Sequence, residues 1–225
     1  YFYILIIQEN MISTKKLQNL PNKEKLQKIC KSISVLDAII SQDWEYRYYS
    51  YNQKWGKDEE LFEMRDDCGD QMLILFTKNG CVINGFAHEL YDFEENLPSK
   101  SELIKGIPDV FNDFILGEPV ATIGTTFCIW TNENNQWQLG NIKHFEDGSE
   151  EMLSIFDGNP QTYIDFAIDY FEEDYSSTEN AKNTVIKIYN HETLTREMVL
   201  STVNELEDWA QLESDLEEIG YPYHF

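Results

Sequence analysis

Residues 70–89 read DQMLILFTKNGCVINGFAHE. Two apolar runs flank Asn79-Gly80, a pair favoured in two-residue hairpin loops because both residues tolerate positive φ. With that pair at the centre of the loop, Lys78 faces Cys81, Phe76 faces Ile83, Ile74 faces Gly85 and Leu73 faces Phe86. One side of the ladder then carries Met72, Ile74, Phe76, Ile83 and Ala87. The other carries Leu73, Leu75, Val82, Phe86 and Asn84. Side chains alternate along a strand, so two apolar faces predict a central hairpin with a layer on each side. Gly85 marks a bulge or a close approach by another segment.

Upstream, Leu26, Ile29, Cys30, Ile33, Leu36 and Ile40 recur at helical spacing behind Pro21-Asn22, which predicts an amphipathic helix over 23–40. Residues 44–55, WEYRYYSYNQKW, form the most aromatic stretch and alternate like a strand, Tyr46, Tyr48 and Ser50 against Arg47, Tyr49 and Tyr51. Residues 58–67 are expected to be a short helical turn or loop. Downstream, 91–106 reads as a loop and DVFNDFIL, from 109, as a short helix ended by Gly117. Residues 121–131 and 137–144 read as two further strands, and 149–156 as one helical turn. Asn159-Pro160 pairs an N-cap with a proline at the first helical position. The helix behind it, 159–172, carries a stripe of Tyr163, Phe166, Ala167, Tyr170 and Phe171. After a polar linker, TVIKIYN (184–190) reads as a strand and 195–219 as helical.

These elements predict an α+β fold: a mainly antiparallel sheet of about five strands, covered by helices, with a C-terminal helical extension. The expected division is a tail over 1–20 outside the core, an α+β domain over 21–175 and the extension over 176–225. Met11 offers a start, so residues 1–10 are expected to be upstream or vector-derived sequence, or a frayed strand. Their apolar run, YFYILII, is too short to span a membrane.

Charge is the outlier. The 225 residues hold 41 acidic and 17 basic side chains, net −24. Residues 1–57 carry +4, 58–149 carry −13 and 150–225 carry −15. Such a field repels phosphate, which argues against nucleic acid and anionic membranes and favours a basic protein partner or a cation. The four cysteines, Cys30, Cys68, Cys81 and Cys128, show no metal-ligand spacing and read as reduced thiols of a cytoplasmic protein.

His88-Glu89 invites a zinc-hydrolase reading with Asp70 nearby, yet HELYD lacks a second histidine at i+4. His144, His191 and His224 have no matching spacing. No G-x-S-x-G elbow, glycine-rich phosphate loop or EF-hand spacing occurs, so no catalytic residue and no cofactor is implied. Trp44, Tyr46, Tyr48, Tyr49, Tyr51 and Trp55 are the candidate partner-binding set, because large rings with polar tips anchor interfaces.

WEYRYYSYNQKW, MRDDCGD, the strand pair ending GFAHE, TTFCIW and DGNPQTYIDFAIDYFEEDY together resemble a family of uncharacterised bacterial proteins, over about 23–175. The resemblance implies a bacterial cytoplasmic α+β protein, and more loosely it is similar to small acidic proteins that neutralise toxins in bacterial competition. No catalytic residues come with it. The function expected from the chain is therefore non-enzymatic protein binding of the toxin-immunity type. The alternative is a metal-dependent hydrolase centred on His88, Glu89 and Asp70.

Overall fold

A computed structural model describes residues 11–93, 97–140 and 146–225. The fold is α+β. Six antiparallel strands run in sheet order β1 (Tyr49–Gly56), β2 (Glu59–Arg65), β3 (Gln71–Thr77), β4 (Gly80–Phe86), β5 (Phe127–Thr131) and β6 (Trp137–Leu139). A small parallel pair, β7 (Leu194–Thr195) and β8 (Tyr223–His224), lies near the C-terminus. No helix among the described residues is long and apolar enough to cross a membrane.

The β3–β4 hairpin lies in the middle of the sheet with both faces covered. Met72, Ile74, Phe76, Cys81, Ile83 and Ala87 join the larger core, while Leu73, Leu75 and Val82 join a second one on the opposite face. The pairing differs from the sequence expectation. Thr77 pairs with Gly80, so Lys78-Asn79 forms the loop, and Phe76 faces Cys81, Ile74 faces Ile83 and Leu73 faces Asn84. Neither loop residue has positive φ; Gly80 has φ 149°. A Cβ on Gly80 would stand 2.5 Å from the Thr131 hydroxyl. The glycine therefore serves the approach of β5 rather than the centre of a tight turn. Moving the loop by one residue shifts every partner by two, and because strand side chains alternate, both faces are preserved.

Gly85 pairs with Met72 and Phe127, and a Cβ there would meet the Phe127 ring at 2.1 Å. The close approach expected at this glycine is thus the packing of an aromatic ring onto bare backbone. Gly85→Ala is expected to cost at least about 1–3 kcal/mol in urea unfolding, with Gly85→Ala/Phe127→Leu recovering part of it. A cost below about 0.5 kcal/mol would rule out this packing argument.

The inner face of the sheet lies under α1 (Lys23–Ile40), whose N-terminus is capped by the Asn22 side chain accepting from Lys25 N–H at 2.9 Å. α2 (Pro160–Phe171) is capped by Asn159 and buries Tyr163, Ile164, Ala167 and Phe171. The outer face lies under short helical turns at Asp109–Phe111, Asn112–Leu116 and Val120–Ile123, which bring Phe111, Phe114, Ile115 and Val120 onto Leu73, Leu75, Val82 and Trp130. Val110 is exposed.

Several local expectations are corrected. Residues 58–67 are mostly strand β2: Phe62 and Met64 alternate inward and supply the edge of the inner core. The aromatic stretch forms a strand only from Tyr49, because Trp44–Tyr46 is a 3-10 turn capped by Asp43. Residues 91–106 include helical segments, His88–Phe93 and Lys100–Leu103. In 121–131 only Phe127–Thr131 is strand; Val120–Ile123 is a helical turn ended by Gly124.

TVIKIYN is helical up to Tyr189, within α3 (Glu179–Tyr189), where Thr178 caps the start, Asn190 caps the end and Ala181, Val185 and Ile188 fall on one buried stripe. α4 (Arg196–Thr202) and α5 (Trp209–Ile219) follow. α3 and α5 pack against α1, and α5 also flanks β1, so residues 176–225 share the inner core. Of the tail, Ile12 and Leu20 are buried in that same core, and Thr14 donates to the buried Asp147 carboxylate at 2.5 Å. Residues 1–10 and His144 lie outside the described residues.

Candidate functional sites

The 44–55 set is divided by the architecture. Tyr49 and Tyr51 point inward and are core residues, 5% and 3% exposed, although both also line the pocket at the β1 edge described below. Tyr51 also donates to Glu60 at 2.8 Å and accepts from Gln27 at 3.0 Å. Tyr48 is half-buried in an aromatic cluster, its ring edge-to-face with Tyr49, Phe166 and Tyr170, and burial raises its phenol well above the ordinary value. Trp44, Tyr46 and Trp55 are exposed, by 51%, 64% and 46%.

Just before the strand, Arg47 turns inward. It donates to the carbonyls of Ser41 at 2.7 Å and Gln42 at 2.9 Å, just beyond the C-terminus of α1, and pairs with Asp215 of α5. Beside this pair, at the free edge of β1, is a small pocket of about 90 Å³. Trp44, Trp55 and Glu218 line it together with Glu63, Leu61 and the buried Ser34. The Glu63 side chain is 24% exposed, and burial pushes its carboxyl above the ordinary range. Its nearest cation, Arg65, stands at 3.8 Å and lies over the Trp44 ring at 4.0 Å.

The second candidate surrounds His88 at the end of the central hairpin. A cleft of about 700 Å³ is lined by Asp66, Asp70, His88, Glu89, Glu146, Glu150 and Glu151, with Lys15 at its side. Several of these acids build the wall itself. One Asp66 oxygen accepts the backbone N–H groups of Cys68, Gly69 and Asp70 at 2.8–2.9 Å. Asp70 accepts His88 N–H at 2.8 Å; burial still pushes its carboxyl up, against that hydrogen bond. Gly69, at φ 120°, leaves the room in which the His88 imidazole lies, since a Cβ would stand 2.8 Å from the ring. Asp147 accepts from the Thr14 and Ser149 hydroxyls, and Lys15 pairs with Glu146 at 2.9 Å.

His88, Glu89 and Asp70 thus share one cleft. Among the described residues, however, no group of three or more His, Cys, Asp or Glu side chains is arranged to hold a metal ion. Cys30, Cys81 and Cys128 are buried and Cys68 is exposed, all as free thiols. Burial pushes the Cys128 thiol up to about 12, which leaves it unreactive.

Sequence reading missed three buried ionisable groups, one alone and two as a pair. Asp37, within α1, accepts the Tyr163 hydroxyl at 2.7 Å and Tyr49 N–H at 2.8 Å. The Arg47–Asp215 pair joins segments 168 positions apart. For Asp37 a signal was present: one carboxylate inside the apolar run SISVLDAII. No family model, curated protein or solved structure matches the chain.

Proposed function

We propose that the chain is a non-enzymatic binding protein for a basic protein partner, of the kind that neutralises toxins in bacterial competition, working in the bacterial cytoplasm. The observation that carries this reading is the acidic cleft. Glu89, Glu146, Glu150 and Glu151 are exposed there and only Glu146 has a cationic partner among the described residues, so the cleft projects uncompensated negative charge. A cleft lined by one sign of charge focuses the field and speeds encounter with an oppositely charged protein. Reduced screening at low salt strengthens that attraction.

The immobilised protein is expected to retain a cationic protein from a bacterial lysate at low salt and to release it as salt rises. The association rate of the purified pair should fall by about tenfold or more between low and physiological ionic strength. Retention of no cationic protein, or an association rate indifferent to salt, would overturn the proposal.

A further inference from the structure

Among the molecule's concavities, the pocket at the β1 edge combines features that the acidic cleft lacks. Its volume of about 90 Å³ suits the end of one side chain, far below the roughly 300–1,000 Å³ of small-molecule sites. Its indoles are exposed although the pocket reaches buried groups: Ser34 is 1% exposed, and its hydroxyl has no hydrogen-bond partner. An aromatic rim around a desolvated pocket is the usual setting of a binding hot spot.

Charge decides the occupant. Arg47 is consumed by Asp215 and by the carbonyls that end α1. Arg65 is held over Trp44 and donates to the Trp44 carbonyl at 3.0 Å, leaving Glu63 at 3.8 Å, beyond hydrogen-bond distance. The Glu63 and Glu218 carboxylates make no hydrogen bond among the described residues, and Glu218 has no cation beside it. A three-quarters-buried carboxylate without a donor is an unfavourable arrangement that an incoming N–H group relieves. Trp55 adds a ring face of the kind that attracts a cation, and Arg65 on Trp44 already shows a guanidinium seated on an indole at this edge.

We propose that this pocket receives a single lysine or arginine side chain projecting from the basic partner. Glu63 and Glu218 meet its charge, and the indoles of Trp44 and Trp55 cover its aliphatic stem. The inference rests on the basic-partner reading above and assigns it an anchoring point away from the acidic cleft.

Fluorescein-labelled hexalysine, with fully acetylated hexalysine as the neutral control, tests it on the whole chain. Anisotropy reports affinity, and the Trp44 and Trp55 indole N–H resonances, assigned with Trp44→Phe and Trp55→Phe, report the place. Hexalysine should bind and shift those two resonances. Glu63→Gln/Glu218→Gln should weaken binding by about tenfold or more, and Glu150→Gln/Glu151→Gln in the cleft by less than about threefold. Thermal melts of the variants should be no lower than the parent's, since Glu218 is exposed and Glu63→Gln is nearly isosteric and removes a poorly solvated charge.

Binding that leaves both indoles unmoved and depends on Glu150 and Glu151 would overturn the pocket and leave the basic-partner reading standing. Equal binding of the acetylated peptide would overturn recognition of a cation. No binding of hexalysine at low salt would overturn both proposals.

Discussion

Asp215→Ala is expected to destabilise the protein by about 3–5 kcal/mol, read as a fall in the urea midpoint at unchanged slope. The Arg47 and Asp215 side chains are 5% and 8% exposed. Removing the carboxylate leaves a guanidinium out of water with only the Ser41 and Gln42 carbonyls as acceptors. Those carbonyls bear partial charge, whereas Asp215 neutralises the cation and is itself braced by Gln211 at 3.0 Å. The cost arises from stranding one charge and does not measure what the pair contributes. Arg47→Met/Asp215→Leu, which removes both charges at similar volume, should therefore recover most of the loss. If Asp215→Ala costs less than about 1 kcal/mol, the pair is hydrated and does not clamp α5 to the edge of β1.

The clamp matters for the candidate pocket, because Arg47 and Asp215 line it beside Trp44 and Glu63. α5 is also tied to β1 by Gln53, whose amide donates to the Glu217 carbonyl at 2.7 Å. Loosening α5 would move Glu218 relative to Trp55. Asp215→Ala is thus expected to weaken hexalysine binding as well as stability, whereas Arg47→Met/Asp215→Leu should weaken binding less.

How far the sequence was legible follows from the range of each signal. The faces of the β3–β4 hairpin were readable because period-two alternation is local and survives a shift of the loop. Strand β2 was not: Phe62 and Met64 alternate, but Glu59, Glu60 and Glu63 surround them and mimic a solvated turn. α3 was misread because Val185, Ile186 and Ile188 favour strands locally. A helix places Ala181, Val185 and Ile188 on one face against α1, and that packing overrides propensity. In the 44–55 stretch alternation correctly grouped Arg47 with Tyr49 and Tyr51, yet nothing local shows that Arg47 meets a carboxylate from the far end of the chain. The cleft around His88 was legible as a place to look, while the hydrogen bonds that occupy Asp66 and Asp70 follow from the fold of their loop.

The protein is expected to lose stability as pH rises from about 4 to 7, through Asp37. Its carboxyl is fully buried in α1 and is pushed up from 3.8 to about 7. Burial is the largest cause, opposed by the hydrogen bonds from Tyr163 and Tyr49 and by the charge of Arg47. Because the folded form holds the proton more tightly than the unfolded chain, the stabilisation is fully present below the unfolded value. It is lost as pH passes through the folded one. The difference corresponds to up to about 4 kcal/mol between pH 4 and 8. Other carboxylates also titrate there, so the discriminating measurement compares the parent with Asp37→Asn. An amide can donate to the Tyr163 oxygen while its carbonyl accepts Tyr49 N–H, reproducing the protonated acid. The two proteins should therefore match near pH 4 and diverge toward pH 8, with Asp37→Asn the more stable by up to that amount. Parallel pH profiles would mean that Asp37 titrates at its ordinary value, held ionised by Tyr163, Tyr49 and Arg47 against the cost of burial.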